Sequence, residues 1–199
     1  VYILLKEREG TELKDASEYS TLLNATARYG HASVGLKVSM GDREKALDQA
    51  RALLGQHRQN LVAGLKLVAE RGITPLKSIQ YFDAGDAILD TIIGIVAGMS
   101  FQMADRNRPI LAFAQNEEGD LKASARGTQD LVRSGLDLAS ALSLSARAVG
   151  GMGGGHNVAA GATIPQKAKE EFLQMMDSII SEQLSGKNDI KIGILGAGQ

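Results

Sequence analysis

Cysteine is absent from the 199 residues. That excludes disulfides and thiolate metal sites, and it fits a reducing, cytoplasmic setting. A net basic charge is absent too, since 22 Lys and Arg against 23 Asp and Glu leave −1. No global field advertises nucleic acid, so such a role has to rest on a local patch. Aromatic residues make up only 4%, which argues against extensive base stacking and mildly favours phosphate gripping. The longest apolar run, residues 91–101, is too short to span a bilayer and reads as a buried helix. No basic stretch followed by an apolar one marks a secretory signal, and no membrane partner is expected. The chain starts at Val1 rather than Met, as a fragment would. Its three histidines, His31, His57 and His156, stand far apart in sequence.

What is present is an ordinary globular balance, 44% hydrophobic and 23% charged. The length suits one domain plus an extra segment. Residues 12–28 pattern as a helix stopped by Gly30. Residues 31–40 alternate loosely through Val34, Leu36 and Val38, which predicts a short strand. Asp42 is a good N-cap, and Leu47, Ala50, Leu54, Leu61, Leu65 and Val68 then recur at helical spacing until Gly72. One helix of that length reaches roughly 45 Å, more than a surface helix of a compact domain usually needs. The alternative is two helices broken near Gly55 and Gln56.

Beyond Gly72 the texture changes. Strands are expected over 78–83, 109–115, 121–126 and 159–164, and 109–126 reads as a hairpin turning at 116–120. Helices are expected over 90–103, 131–149 and 166–184. Gly94 and Gly98 imply close packing in the first of these. In the last, Phe172, Met175, Met176, Ile179 and Ile180 form an apolar stripe. The glycines and the methionine-rich helix suit either the domain's own core or a homodimer interface. The expected fold is α/β, a small mixed sheet with an antiparallel hairpin packed by helices and preceded by a long interdomain helix.

The informative stretch is 149–165, VGGMGGGHNVAAGATIP. Glycine at this density costs conformational entropy and is expected as a loop whose backbone approaches a ligand. His156 adds hydrogen-bond donors for phosphate oxygens. Residues 138–166 hold no Asp or Glu, only Arg147 and His156. The bland alternative is a flexible linker, but linkers are usually serine-rich and polar. A P-loop is excluded, because no Gly-Lys-Ser/Thr ending occurs. Arg126, at the end of a strand, offers a rigid fork for phosphate, with Gly127 and Thr128 as further donors. A lone strand-end arginine is more often a surface ion pair. Residues 191–199, KIGILGAGQ, start like a dinucleotide fingerprint with Gly193, Gly196 and Gly198. No helix or acidic partner follows, so 189–199 is expected to be a strand or tail.

Together SARGTQDL (124–131), GLDLASAL (135–142) and GGGHNVAAGATIP (153–165) resemble the DHH-associated domain of DHH phosphoesterases, over about residues 73–185. The resemblance implies that Arg126, Gly153, Gly154, Gly155, His156, Ala159, Ala160 and Gly161 bind the phosphate of a nucleotide or nucleic-acid strand, and Gly127, Thr128 and Asn157 beside them complete the expected substrate site. Upstream, LNATARYGHASVGL (23–36) resembles the RecJ-like segment before the interdomain helix, through Asn24, Ala25, Arg28 and Gly30, with Ala27 in place of the usual glycine. It implies an archaeal RecJ-like branch. Residues 1–41 would end a preceding catalytic domain, 42–72 would be the connecting helix and 73–188 the substrate-binding domain.

The family's catalytic domain holds two metal ions, typically manganese, through Asp and His clusters. This sequence has no Asp-His-His, so by itself it is expected to have no catalytic or metal residues and not to hydrolyse phosphodiesters. The parent implied is a manganese- or magnesium-dependent exonuclease acting on single-stranded DNA or RNA, with the missing catalytic domain as partner. The resemblance also admits oligonucleotide or cyclic-dinucleotide substrates. From another class comes a non-catalytic RecJ-like scaffold in a replication or repair assembly. A third is an alanyl-tRNA-synthetase-type domain, which the RecJ-like upstream segment argues against.

Overall fold

The computed structural model describes residues 2–185. The chain divides into two compact units, Val1–Ala63 and Gly64–Gln199. Residues 189–199, with Gly193, Gly196 and Gly198, lie outside the described residues.

The first unit contains α1 (Ala16–Arg28), α2 (Ala32–Ser39) and the first part of α3 (Lys45–Arg71). Asp15 caps α1 by accepting from the backbone of Ser17 at 2.7 Å, so the helix starts later than residue 12. Gly30, at φ 76°, ends it, with the His31 N–H returning to the Thr26 carbonyl at 2.8 Å.

The strand expected over 31–40 is instead helix α2. Val34 and Val38 are four apart and share the inward face, with Val38 fully buried, while Leu36 points out at 61% exposure. Three alternating apolar residues fit either period, and packing against Leu22, Ala25 and Leu47 selects the helix. Gly35 lets α2 approach closely, since a side chain there would collide with the Thr26 hydroxyl.

Helix α3 is one helix of 27 residues, with no break at Gly55. Asp42 accepts from Glu44 N–H at 3.0 Å at its start, and Gly72 at φ 81° closes its end. The division between the two units falls inside it.

The second unit is built on a six-stranded sheet. Its strands are β1 (Thr74–Pro75), β2 (Gln80–Asp83), β3 (Ile110–Gln115), β4 (Leu121–Arg126), β5 (Met152–His156) and β6 (Ala159–Ile164). Their order is β1-β2-β3-β4-β6-β5. Only β2 and β3 run parallel; β3 and β4 form the expected hairpin. Central β3 is buried along Ile110–Ala114, as its unbroken apolar run requires.

One face of the sheet packs against α6 (Leu138–Ala148) and α7 (Lys169–Ser185). Phe113 and Phe172 meet there edge to face at 6.1 Å, among Leu111, Leu138, Leu142, Met176 and Ile180. The apolar stripe of α7 is therefore core. The other face is covered over β3 and β4 by α4 (Ile93–Met99), continued by a 3-10 turn, Ser100–Gln102.

Residues 131–149 form two helices rather than one, α5 (Gln129–Arg133) and α6. Gly135, at φ 114°, stops the first, and Asp137 caps the second by accepting from Ser140 N–H at 3.1 Å. Among the described residues no helix is long and apolar enough to cross a membrane.

Candidate functional site

The glycine-rich stretch is not a loop. Gly153–His156 belong to β5, the edge strand, and the two-residue turn Asn157–Val158 leads into β6. Part of the glycine density has a packing cause. A methyl on Gly153 would stand 2.9 Å from both Ala162 Cβ and the Leu142 carbonyl oxygen of α6. Gly155 has φ 147°, and a methyl there would meet the Ala160 Cα at 2.6 Å. Helix α6 thus lies directly on β5. Gly154 differs, because a side chain there would meet nothing within 4 Å.

Register brings the site residues together. Arg126 on β4 pairs with Ala159 on β6, and Ala159 pairs with His156 on β5. Side chains of register partners stand on one face of a sheet. Two rows run parallel to this one, Ser124–Gly161–Gly154 and Lys122–Thr163–Met152. The alternate residues Ala123, Ala125, Ala160 and Ala162 point to the other face and into the core.

So Arg126 and His156 flank a floor of Ala159, Gly161 and Gly154. Across two strand spacings they lie about 10 Å apart at the backbone. His156 is exposed and Arg126 half-buried. The Arg126 guanidinium lies against α4: a methyl on Gly94 would come within 3.1 Å of its Cζ, and one on Gly98 within 3.9 Å of its Cγ. Its Nη1 donates to the Ala125 carbonyl at 2.8 Å. The two glycines of α4 therefore shape the wall along which Arg126 lies. The sequence signalled the close approach; the partner, 32 positions away for Gly94, had no signal.

Two expected donors have structural roles. The Gly127 N–H is taken by the Val158 carbonyl at 2.8 Å, and a methyl at 127 would press on Leu136 at 2.5 Å. Thr128 Oγ1 accepts from Leu131 N–H at 3.2 Å as the cap of α5, which leaves its own proton to donate. Ala160 faces the core rather than the open side. The Asn157 carbonyl accepts from Leu138 N–H at 3.1 Å, while its side chain is exposed. As an edge strand, β5 turns every second N–H and C=O away from β6.

Concave spaces occur elsewhere in this unit. Two cavities of about 260 Å³ each flank the Lys169–Asp83 ion pair, 2.6 Å long, near the β2 end of the sheet. Burial pulls the Lys169 pKa down, but the hydrogen bond and charge of Asp83 outweigh it and hold the ammonium above the usual lysine range. That pair is satisfied. The Arg126–His156 face is bounded by α4 over β3 and β4, and His156 stands exposed at its other side.

In the first unit the RecJ-like residues occupy the C-terminal half of α1: Ala25 is buried, Asn24 and Ala27 are exposed, and Gly30 forms the cap. His57 is buried there against Tyr29, whose hydroxyl accepts from Asn60 at 2.9 Å. Burial first, then the Arg28 charge, lowers the His57 pKa. Among the described residues no group of three or more His, Cys, Asp or Glu could hold a metal ion. The donors present among the described residues do not fit a metal centre.

Residues 76–182 match the DHHA1 domain family. The chain belongs to it. The match covers more than half the chain, and it contains every one of these site residues.

Among curated proteins, an uncharacterized protein of Methanocaldococcus jannaschii is 36% identical over 87% of this chain and 37% of its own length. The single-stranded-DNA-specific exonuclease RecJ of Haemophilus influenzae is 30% identical over 81% of this chain and 29% of its length. This DHHA1 chain thus spans only about a third of these relatives. In fold it is similar to Thermus thermophilus RecJ in complex with Mn2+, at TM-score 0.68 and 20% identity, over 84% of this chain and 24% of that one. The assignment is to the DHH family, RecJ-like.

Proposed function

We propose that this chain is the phosphate-gripping part of a nuclease that hydrolyses phosphodiester bonds in single-stranded DNA or RNA. The observation that carries the reading is the row Arg126–Ala159–His156, on the sheet face opposite α6 and α7, in a chain of the DHHA1 family. An arginine and a histidine whose backbones stand about 10 Å apart, over a floor with nothing larger than a methyl, suit an anion that lies between their side chains. Gly154 and Gly161 let the sugar-phosphate backbone come down on the sheet, and edge amides of β5 add donors.

The remaining machinery belongs to a catalytic domain of the parent, which would supply Asp and His ligands for manganese or magnesium. Support for that comes from the RecJ relatives and from the Thermus thermophilus RecJ structure, which is in complex with Mn2+. In this arrangement residues 42–72 act as the connecting helix, and the protein works in the cytoplasm. The chain's own residues bind and orient the strand; bond cleavage is left to the other domain.

The test is a titration of fluorescent single-stranded DNA and RNA oligomers, with and without a 5′-phosphate, against the 199-residue chain at low salt. Binding is expected to favour the phosphorylated oligomers, to weaken as salt rises, and to be lost in the Arg126→Ala/His156→Ala double variant. Unchanged binding in that variant would remove the site assignment.

A further inference from the structure

A third row crosses the same face of the sheet. Lys122, Thr163 and Met152 pair across β4, β6 and β5, two residues along each strand beyond the glycine row. Lys122 is half-buried, and its stem leans over β6, with Cε and Nζ 3.8 and 3.9 Å from the point where a Gly161 side chain would begin. Glycine at 161 therefore makes room for the ammonium above the floor. Among the described residues no carboxylate forms an ion pair with Lys122. Thr163 contributes a hydroxyl. Met152 is 80% exposed at the free edge of the sheet, in line with them.

An exposed methionine on an edge strand carries a cost in solubility and contributes nothing to the core. Its adaptable thioether surface suits the flat face of a base. The cation opposite it suits a phosphate. Lys122 and Arg126 are four residues apart in one strand, about 13 Å along the sheet. That is too far for one phosphate to engage both. Beyond Lys122 the β3–β4 turn carries Glu117, Glu118 and Asp120, so the basic face ends there.

We propose that Lys122, Thr163 and Met152 form a second nucleotide subsite, so that the ligand is a strand with more than one phosphate rather than a mononucleotide. This rests on the phosphate-gripping reading of Arg126 and His156. One phosphate sits between those two residues, the backbone crosses the Gly161–Gly154 row, and a following phosphate reaches Lys122 while its base lies on Met152.

The experiment compares a 5′-phosphorylated mononucleotide with a 5′-phosphorylated tetranucleotide on the whole chain, as wild type, Lys122→Gln and Arg126→Ala, at several salt concentrations. The tetranucleotide is expected to bind wild type about tenfold more tightly than the mononucleotide. Lys122→Gln should abolish that advantage, leave the mononucleotide untouched, and lower the salt slope by about 0.7, the share of one phosphate in a single strand. Arg126→Ala should weaken both ligands. Equal tetranucleotide affinity and slope in wild type and Lys122→Gln, with Arg126→Ala still impaired, overturns the second subsite alone. No effect of Arg126→Ala on either ligand overturns the first reading, and the second subsite falls with it. Circular dichroism of each variant separates lost binding from lost fold.

Discussion

Strands β4 and β6 present two faces made from neighbouring residues of the same short sequences. Leu121, Ala123, Ala125, Ala160, Ala162 and Ile164 face helices α6 and α7 and are almost wholly buried. Lys122, Arg126, Ala159, Gly161 and Thr163 alternate with them and stay half-exposed. On the first face every side chain is committed to packing. On the second the side chains are cationic, hydroxylic or nearly missing, and of these Ser124 is buried. A sheet stable enough on one side leaves the other free to bind, and the period of two residues keeps the two tasks apart.

The comparison can be broken most severely from the covered side. Phe113→Ala should destabilise the second unit by about 3–5 kcal/mol, because it opens a cavity between Phe172 and Tyr81. Urea denaturation measures it, and a loss below about 1 kcal/mol would mean that this face is not the core.

A finer contrast lies within β5. Gly153→Ala places a methyl against the Leu142 carbonyl oxygen and Ala162, neither of which can swing away, and should cost about 1–3 kcal/mol. Gly154→Ala, one position on, has open space and should change stability by less than about 0.5 kcal/mol. Equal losses at the two positions would contradict the assignment of their faces.

Gly94→Ala tests the wall of the open face. The new methyl must push the Arg126 guanidinium aside, which a flexible side chain permits at little cost to the fold. Phosphate affinity is expected to fall about tenfold, ~1.4 kcal/mol, with the melting temperature nearly unchanged.

The smallest effect belongs to the first unit. Burial, and then the Arg28 charge, hold the His57 pKa below the ordinary value near 6.5. As pH falls through that value, the unfolded chain takes up the proton first. Stability therefore rises with pH across the window between the lowered and ordinary values, and His57 adds no slope below or above it. Thermal melts between pH 5 and pH 8 should show this slope in wild type and a flatter one in His57→Gln.

Much of this was legible in the sequence, for identifiable reasons. The β3–β4 hairpin, the single long α3 and the apolar stripe of α7 follow from local period and from caps at Asp42 and Gly72. Gly135 and Asp137 also carried the α5–α6 break, and the pattern of apolar residues running through them hid it. Residues 32–39 were ambiguous, since Val34 and Val38 serve a strand or a helix equally until Leu22 and Leu47 arrive on one side.

The sequence by itself determined which residues carry the donors that the proposed phosphate site needs: Arg126, His156 and a stretch free of Asp and Glu. Chemistry of that kind resides in side-chain identity and needs no partner to be recognised. Only the tertiary structure decided that Arg126 and His156 share one row through Ala159, that Gly153 and Gly155 serve the packing of α6, and that Lys122 joins the same open face. Those facts depend on strand order and register, which are set by contacts between segments tens of residues apart, and no local pattern encodes them.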